Sequence, residues 1–112
     1  MEQISFDDFL KVDVRVGRIV EVQPFPAART PAYQLVVDFG AQLGRKRSSA
    51  QLTQRYTPEQ LLGRQVLAVV NFPPRQIANF FSEVLVLGVP DTEGNVVLIE
   101  PADEVPLGGR LY

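Results

Sequence analysis

Val12-Asp13-Val14-Arg15-Val16-Gly17-Arg18-Ile19-Val20-Glu21-Val22 decides how the rest of the chain is read. Valines stand at 12, 14, 16, 20 and 22, so one face of an extended segment is apolar and the other polar. Gly17 interrupts the run near its middle, which predicts a bend or bulge. A long strand with a bend is what a small barrel needs when one strand serves two parts of the sheet.

Upstream, Ser5-Phe6-Asp7-Asp8-Phe9-Leu10 predicts a short capped helix. Ser5 is the N-cap and Asp8 sits where a carboxylate favours a helix start. Downstream, Gln23 to Pro31 holds three prolines and predicts a stiff loop presenting Phe25 and Arg29. Tyr33, Leu35, Val37 and Phe39 alternate with polar residues as a second strand. Gly44-Arg45-Lys46-Arg47-Ser48-Ser49-Ala50-Gln51-Leu52 reads as a third. Its alternation places Arg45, Arg47, Ser49 and Gln51 on one face, which carries no apolar residue. Thr57-Pro58-Glu59-Gln60-Leu61-Leu62-Gly63 spells a short helix with a cap, a first-turn proline and a terminal glycine. Val66–Val70 predicts a buried fourth strand, 84–87 a buried fifth, and 96–99 a sixth after the Thr92–Asn95 turn. The tail from Pro106 reads as loop with a short edge strand.

Three strands, a short helix, then more strands is the order of an all-β, five-stranded Greek-key OB-fold barrel. The helix then lies between strands three and four, and the ends form short extensions. At 112 residues the expectation is one domain, residues 1–112.

The chain has neither cysteine nor histidine. Disulfides, thiolate nucleophiles, Ser-His-Asp triads and most zinc or haem sites are thereby excluded. The acidic residues are scattered, so no metal, cofactor or catalytic residue is expected. No run of about 18 apolar residues is present, and the N-terminus does not read as a signal sequence. A cytoplasmic protein without membrane insertion is expected.

The formal charge of −2 conceals an asymmetry. Residues 45–82 hold Arg45, Lys46, Arg47, Arg55, Arg64 and Arg75 against Glu59 alone, a balance of +5. Residues 83–112 hold six acids and Arg110, a balance of −5. An acidic chain with a basic middle can focus a positive field on one face. In an OB barrel that face, strands two and three with their loops, is where oligonucleotides bind. Cations suit phosphates, hydroxyls suit sugars, and Phe25, Phe80 and Phe81 offer flat faces if they are not core filling.

Several blocks together resemble the CsaA family: Asp13–Gly17, Pro24–Arg29, Pro31–Tyr33, Ser48–Gln51, Arg55–Glu59, Val69–Arg75 and Ser82–Gly88. The resemblance runs from about Phe6 to Leu111. That family is similar in turn to the tRNA-binding domain appended to methionyl-tRNA synthetases and to the beta subunit of phenylalanyl-tRNA synthetase. The resemblance implies an OB-fold homodimer, tRNA binding, and an export-related chaperone role toward unfolded or precursor polypeptides. It implies a shared polar set of Arg15, Ser48, Ser49, Gln51, Asn71, Arg75, Ser82 and Glu83. With the basic run, the expected RNA-binding residues are Arg45, Lys46, Arg47, Ser48, Ser49, Gln51, Asn71, Arg75, Ser82 and Glu83. Asn79 stands where the family more often has glycine, and the extra aromatic beside it can enlarge an apolar peptide pocket. Phe25, Arg29, Tyr33, Phe80 and Phe81 are the expected peptide-binding residues. Three readings follow: a dimeric tRNA-binding module, a peptide-binding chaperone whose RNA site is vestigial, or a dimeric scaffold with no ligand. Apolar material at both ends (Phe6, Phe9, Leu10, Leu111, Tyr112), which a single small barrel would struggle to cover, favours the dimer.

Overall fold

The computed structural model describes residues 1–112. In order it contains α1 (Phe6–Leu10), β1 (Val14–Pro24), β2 (Tyr33–Asp38), β3 (Arg45–Ala50) and α2 (Pro58–Leu61). There follow β4 (Gln65–Val69), β5 (Arg75–Ile77), β6 (Phe80–Ser82), β7 (Leu85–Val86), β8 (Gly88–Pro90) and β9 (Val96–Leu98). The main sheet is antiparallel, in the order β3-β2-β1-β4-β7.

The sheet curls because β1 changes partner along its length. Residues 14–18 pair with β4, and residues 18–24 pair with β2. The register slips between Ile19 and Glu21, so the bulge falls at Val20 and not at Gly17. Gly17 has a different task. A Cβ there would lie 2.4 Å from Val37 Cγ1 and 2.8 Å from the Phe39 ring, both in the core. The glycine lets Val37 and Phe39, from the neighbouring strand and its end, pack against β1.

The curled sheet is nearly closed by contact between β3 and residues 82–84. Ile19, Leu35, Val37, Phe39, Val66 and Ala68 fill the interior. α2 follows β3, and its Leu61 is fully buried in that core. Thr57 and Gln60 form a reciprocal capping box at its start, Pro58 holds the first turn, and Gly63 beyond its end has φ +86°. This is an OB-like barrel, with β5–β6 and β8–β9 as hairpins outside the main sheet.

α1 packs no buried residue of its own. It is held by polar tethers: Asn71 donates to Lys11 O at 2.7 Å, and Arg110 donates to Leu10 O at 2.8 Å. Its capping box joins Ser5 and Asp8 as expected.

Two expectations are corrected. Residues 84–87 are not a buried strand: Val84 is buried, but Leu85 is half exposed and only residues 85–86 pair with β4. The β5–β6 hairpin was not expected, because Pro73 and Pro74 precede it and its strands are three residues each. Ala78 in its turn has φ +53°, a left-handed conformation that sequence alone does not signal for alanine.

Gly17→Ala should destabilise the protein by about 1–3 kcal/mol, the usual cost of overpacking a core, read as a lower urea midpoint. A pH effect is expected at the β8–β9 turn. Asp91 accepts from Arg55 at 2.8 Å and from the amides of Glu93 and Asn95 at 2.8 and 2.9 Å. The Arg55 bond, then the Asn95 amide, hold its carboxyl below the ordinary value. The stability this contributes is present above the ordinary carboxylate range and lost as pH falls through the folded value. Asp91→Asn should therefore flatten the acid limb of a stability–pH profile.

Candidate nucleic-acid interface

The outward residues of β3 are Arg45, Arg47 and Ser49, and the register places them beside Asp38, Val36 and Gln34 of β2. Beyond these on β1 lie Arg18, Glu21 and Gln23. The result is a polar face of both signs across three strands, as the alternation predicts. Ser48 points the other way, is fully buried, and donates to Val84 O at 3.0 Å. It cannot reach a ligand, which corrects its place among the RNA-binding residues. Its hydroxyl satisfies a buried carbonyl.

The barrel seam runs beside this face. The Glu83 amide donates to Arg47 O at 2.8 Å, and the Arg47 amide donates to Glu83 Oε1 at 3.0 Å. The Ser49 amide donates to Ser82 Oγ at 3.0 Å. Ser82 and Glu83 thus replace part of a backbone ladder with side-chain acceptors. The Arg47 guanidinium lies over the Phe80 ring, 5.3 Å from its centroid, with its Nε 3.6 Å from the same Glu83 oxygen.

Phe80 and Phe25 are buried against each other with Ala32, their ring centroids 5.3 Å apart. Both fill a small second core, so neither offers an open stacking face as expected of them. This core fastens the 25–32 loop and the β5–β6 hairpin to the outside of β3. The two hairpin faces differ. Ile77 packs on the small core, while Phe81, opposite Gln76, is exposed. Arg75 stands opposite Ser82, next to the seam. Tyr33 is half-buried and donates to Tyr56 O at 2.8 Å. Gln51 lies just past β3 and is exposed. Asn71 accepts from the Asp13 amide and donates to Lys11 O, so its amide holds α1. Arg15 pairs with Asp13 at 2.7 Å.

The sequence count of charge overstates the field. Of the six cations in residues 45–82, four face acids from other segments: Arg45–Asp38, Arg47–Glu83, Arg55–Asp91 and Arg64–Glu100. Lys46 and Arg75 are in no ion pair, and neither is Arg29. The free cations are therefore on β3, on β5 and on the loop before β2.

Two of the surface cavities bear on these residues. One, of about 400 Å³, lies between α2 and the 100–104 segment, and its Arg64 is paired with Glu100. The other, of about 360 Å³, is mostly apolar and is formed by the proline-rich loop with Tyr33 and Thr53. Thr53 was not expected there, and no local pattern around it signals the role.

A family model described as a putative tRNA binding domain matches residues 14–110. The crystal structure of a chaperone CsaA from Bacillus anthracis is similar, with 51% identity, coverage of 99% of this chain and 100% of that one, and a TM-score of 0.91. That of a CsaA chaperone protein from Picrophilus torridus has 48% identity, coverage of 98% and 100%, and a TM-score of 0.92. A methionine–tRNA ligase from Porphyromonas gingivalis is 36% identical over 110 residues, 98% of this chain but 16% of the ligase. The chain thus spans about a sixth of the curated relatives it matches.

The seam gives a stability test. Glu83→Ala removes the acceptor of the Arg47 amide and should cost about 1–2 kcal/mol. Glu83→Gln keeps an acceptor and loses only an exposed ion pair, so its cost should stay below about 1 kcal/mol. Thermal unfolding of the two variants separates the contributions.

Proposed function

Since this chain belongs to the tRNA-binding domain family, we propose that it is a non-catalytic module that binds tRNA through the β2–β3 face, its seam and the β5–β6 hairpin. One observation carries the reading: Arg29, Lys46 and Arg75 lack acidic partners while most other cations are neutralised. Arg29 and Arg75 stand on the loop and the hairpin beside the polar face, and Lys46 leaves β3 on the opposite side from Arg45 and Arg47. Cations free of acids serve phosphates, and the half-exposed Arg47 guanidinium and Ser49 add donors on the face itself. The weak net charge favours a local, shaped contact over indiscriminate polyanion binding. The candidate RNA-binding set is then Arg45, Lys46, Arg47, Ser49, Gln51, Arg75, Ser82 and Glu83, with Ser82 and Glu83 acting mainly by shaping the face.

Binding of bulk tRNA should weaken steeply with salt, because neutralised phosphates release counterions. Lys46→Ala and Arg75→Ala should each lower affinity and reduce the salt slope by about one. Arg64→Ala, at a paired site, should do neither. Salt-insensitive binding would overturn the reading.

A second reading is a CsaA-like chaperone working on precursor polypeptides in the cytoplasm, with a role in export. Its observation is Phe81, a large aromatic left exposed on the β5–β6 hairpin. Phe81→Ala should then reduce affinity for an unfolded polypeptide more than Arg47→Ala does, and the reverse ranking favours RNA.

The proposed assembly is a homodimer. Phe6, Leu10, Val12, Leu85, Leu111 and Tyr112 are all exposed. The Leu111 amide bonds Val14 O, Val14 pairs with Val69, and Val69 pairs with Leu85. Val14 and Val69 are themselves buried, so this path brings the exposed Leu111 and Leu85 to the same end of the barrel, apolar material of the kind a twofold contact buries. Sedimentation at micromolar concentration should give a dimer, and Phe6→Asp with Leu111→Asp a monomer. A monomeric wild type would defeat the assignment.

A further inference from the structure

The cavity of the proline-rich loop has no part in the contacts described so far, and it is built beside the basic face. Phe25 belongs to both: it packs on Phe80, whose ring carries the Arg47 guanidinium, and it lines the cavity. At about 360 Å³ the space lies near the small end of the roughly 300–1,000 Å³ range of small-molecule sites. It suits one nucleotide or one large side chain, not a folded segment.

Its chemistry discriminates between those two. Pro24, Pro26 and Pro31 contribute three of its nine lining residues and have no backbone N–H to donate. An extended peptide relies on backbone partners for affinity, and this lining is poor in them. A nucleobase needs only flat or apolar surfaces on its face, which the proline rings and the half-buried Tyr33 present. Arg29, also in the lining, is exposed and free of any acid. The site therefore matches a flat apolar body joined to an anion.

Resting on the RNA reading above, we infer that this cavity takes one unpaired nucleotide of the bound RNA, its base against the proline-rich wall and its phosphate on Arg29. Recognition then joins a backbone contact on the β3 face to the capture of a single extruded base. Such a base is found in loops and at ends, not within a duplex.

The test follows amide chemical shifts of the full chain titrated with each of the 5′-mononucleotides AMP, CMP, GMP and UMP, with inorganic phosphate, and with an extended apolar peptide. Affinity for bulk tRNA is measured in parallel. Mononucleotides should shift the amides around residues 25–33 and Thr53, whereas phosphate should shift only those near Arg29. Ala28→Leu crowds the cavity with a larger side chain, so it should weaken the mononucleotide shifts and lower tRNA affinity by up to about tenfold without changing the salt slope. Arg29→Ala keeps the cavity, and its exposed position leaves folding intact. It should weaken both ligands and lower the tRNA salt slope by about one.

If mononucleotides leave these amides unmoved and Ala28→Leu binds tRNA normally, the nucleotide site is wrong while the RNA reading stands. If wild type fails to bind tRNA at low salt, the RNA reading falls and takes this inference with it. If only the peptide shifts these amides, the cavity belongs to polypeptide ligands.

Discussion

The barrel depends on how β3 is joined to residues 82–84. A five-stranded sheet of this size leaves two edges, and unpaired edge groups are a liability unless they are covered. Here the Arg47 backbone exchanges hydrogen bonds with Glu83, once through its amide and once through its carboxylate. Ser82 and Ser48 add hydroxyl contacts on either side. Closure therefore uses three polar side chains, Ser48 of β3 with Ser82 and Glu83 across the seam, because the 82–84 segment is too short to ladder fully. Those residues lie beside the candidate ligand face, so on the proposed reading stability and recognition draw on the same positions.

The same economy governs charge. The basic middle of the chain does not create a basic hemisphere, because sheet pairing brings Asp38 beside Arg45 and the seam brings Glu83 to Arg47. Surface pairs of this kind add little stability. Their larger effect is to leave the field to the few cations without partners. The proposed specific binding by a protein of net charge −2 becomes intelligible on these terms. An anion would meet a few isolated positive points set in a largely neutralised surface.

Much of the fold was legible because the signals are local. Alternation marked β1, β2 and β3, and caps with proline and glycine marked α2. The failures are non-local. Gly17 looked like a bend, but its cause is the approach of Val37 and Phe39 from the next strand. Residues 84–87 looked buried because four apolar residues in a row say nothing about which neighbours cover them. Within the site, Ser48 entered the RNA-binding set through the family resemblance, although its own alternation parity put it on the other face, which is buried. Phe25 and Phe80 illustrate the general difficulty. An aromatic in a loop reads as a ligand contact until its partner, 55 residues away, is found.

The two ends of the chain meet. Arg110 reaches Leu10 O and Asp13, and the Leu111 amide bonds the first residue of β1. Both ends thus leave from one spot on the barrel. A domain with this geometry behaves as a plug-in part. It can hang from another polypeptide by either end, and a circular permutant joining the ends by a short linker would keep the barrel strands and their connections intact. Modularity of this kind needs no new interface, only that the tether leave the strands undisturbed.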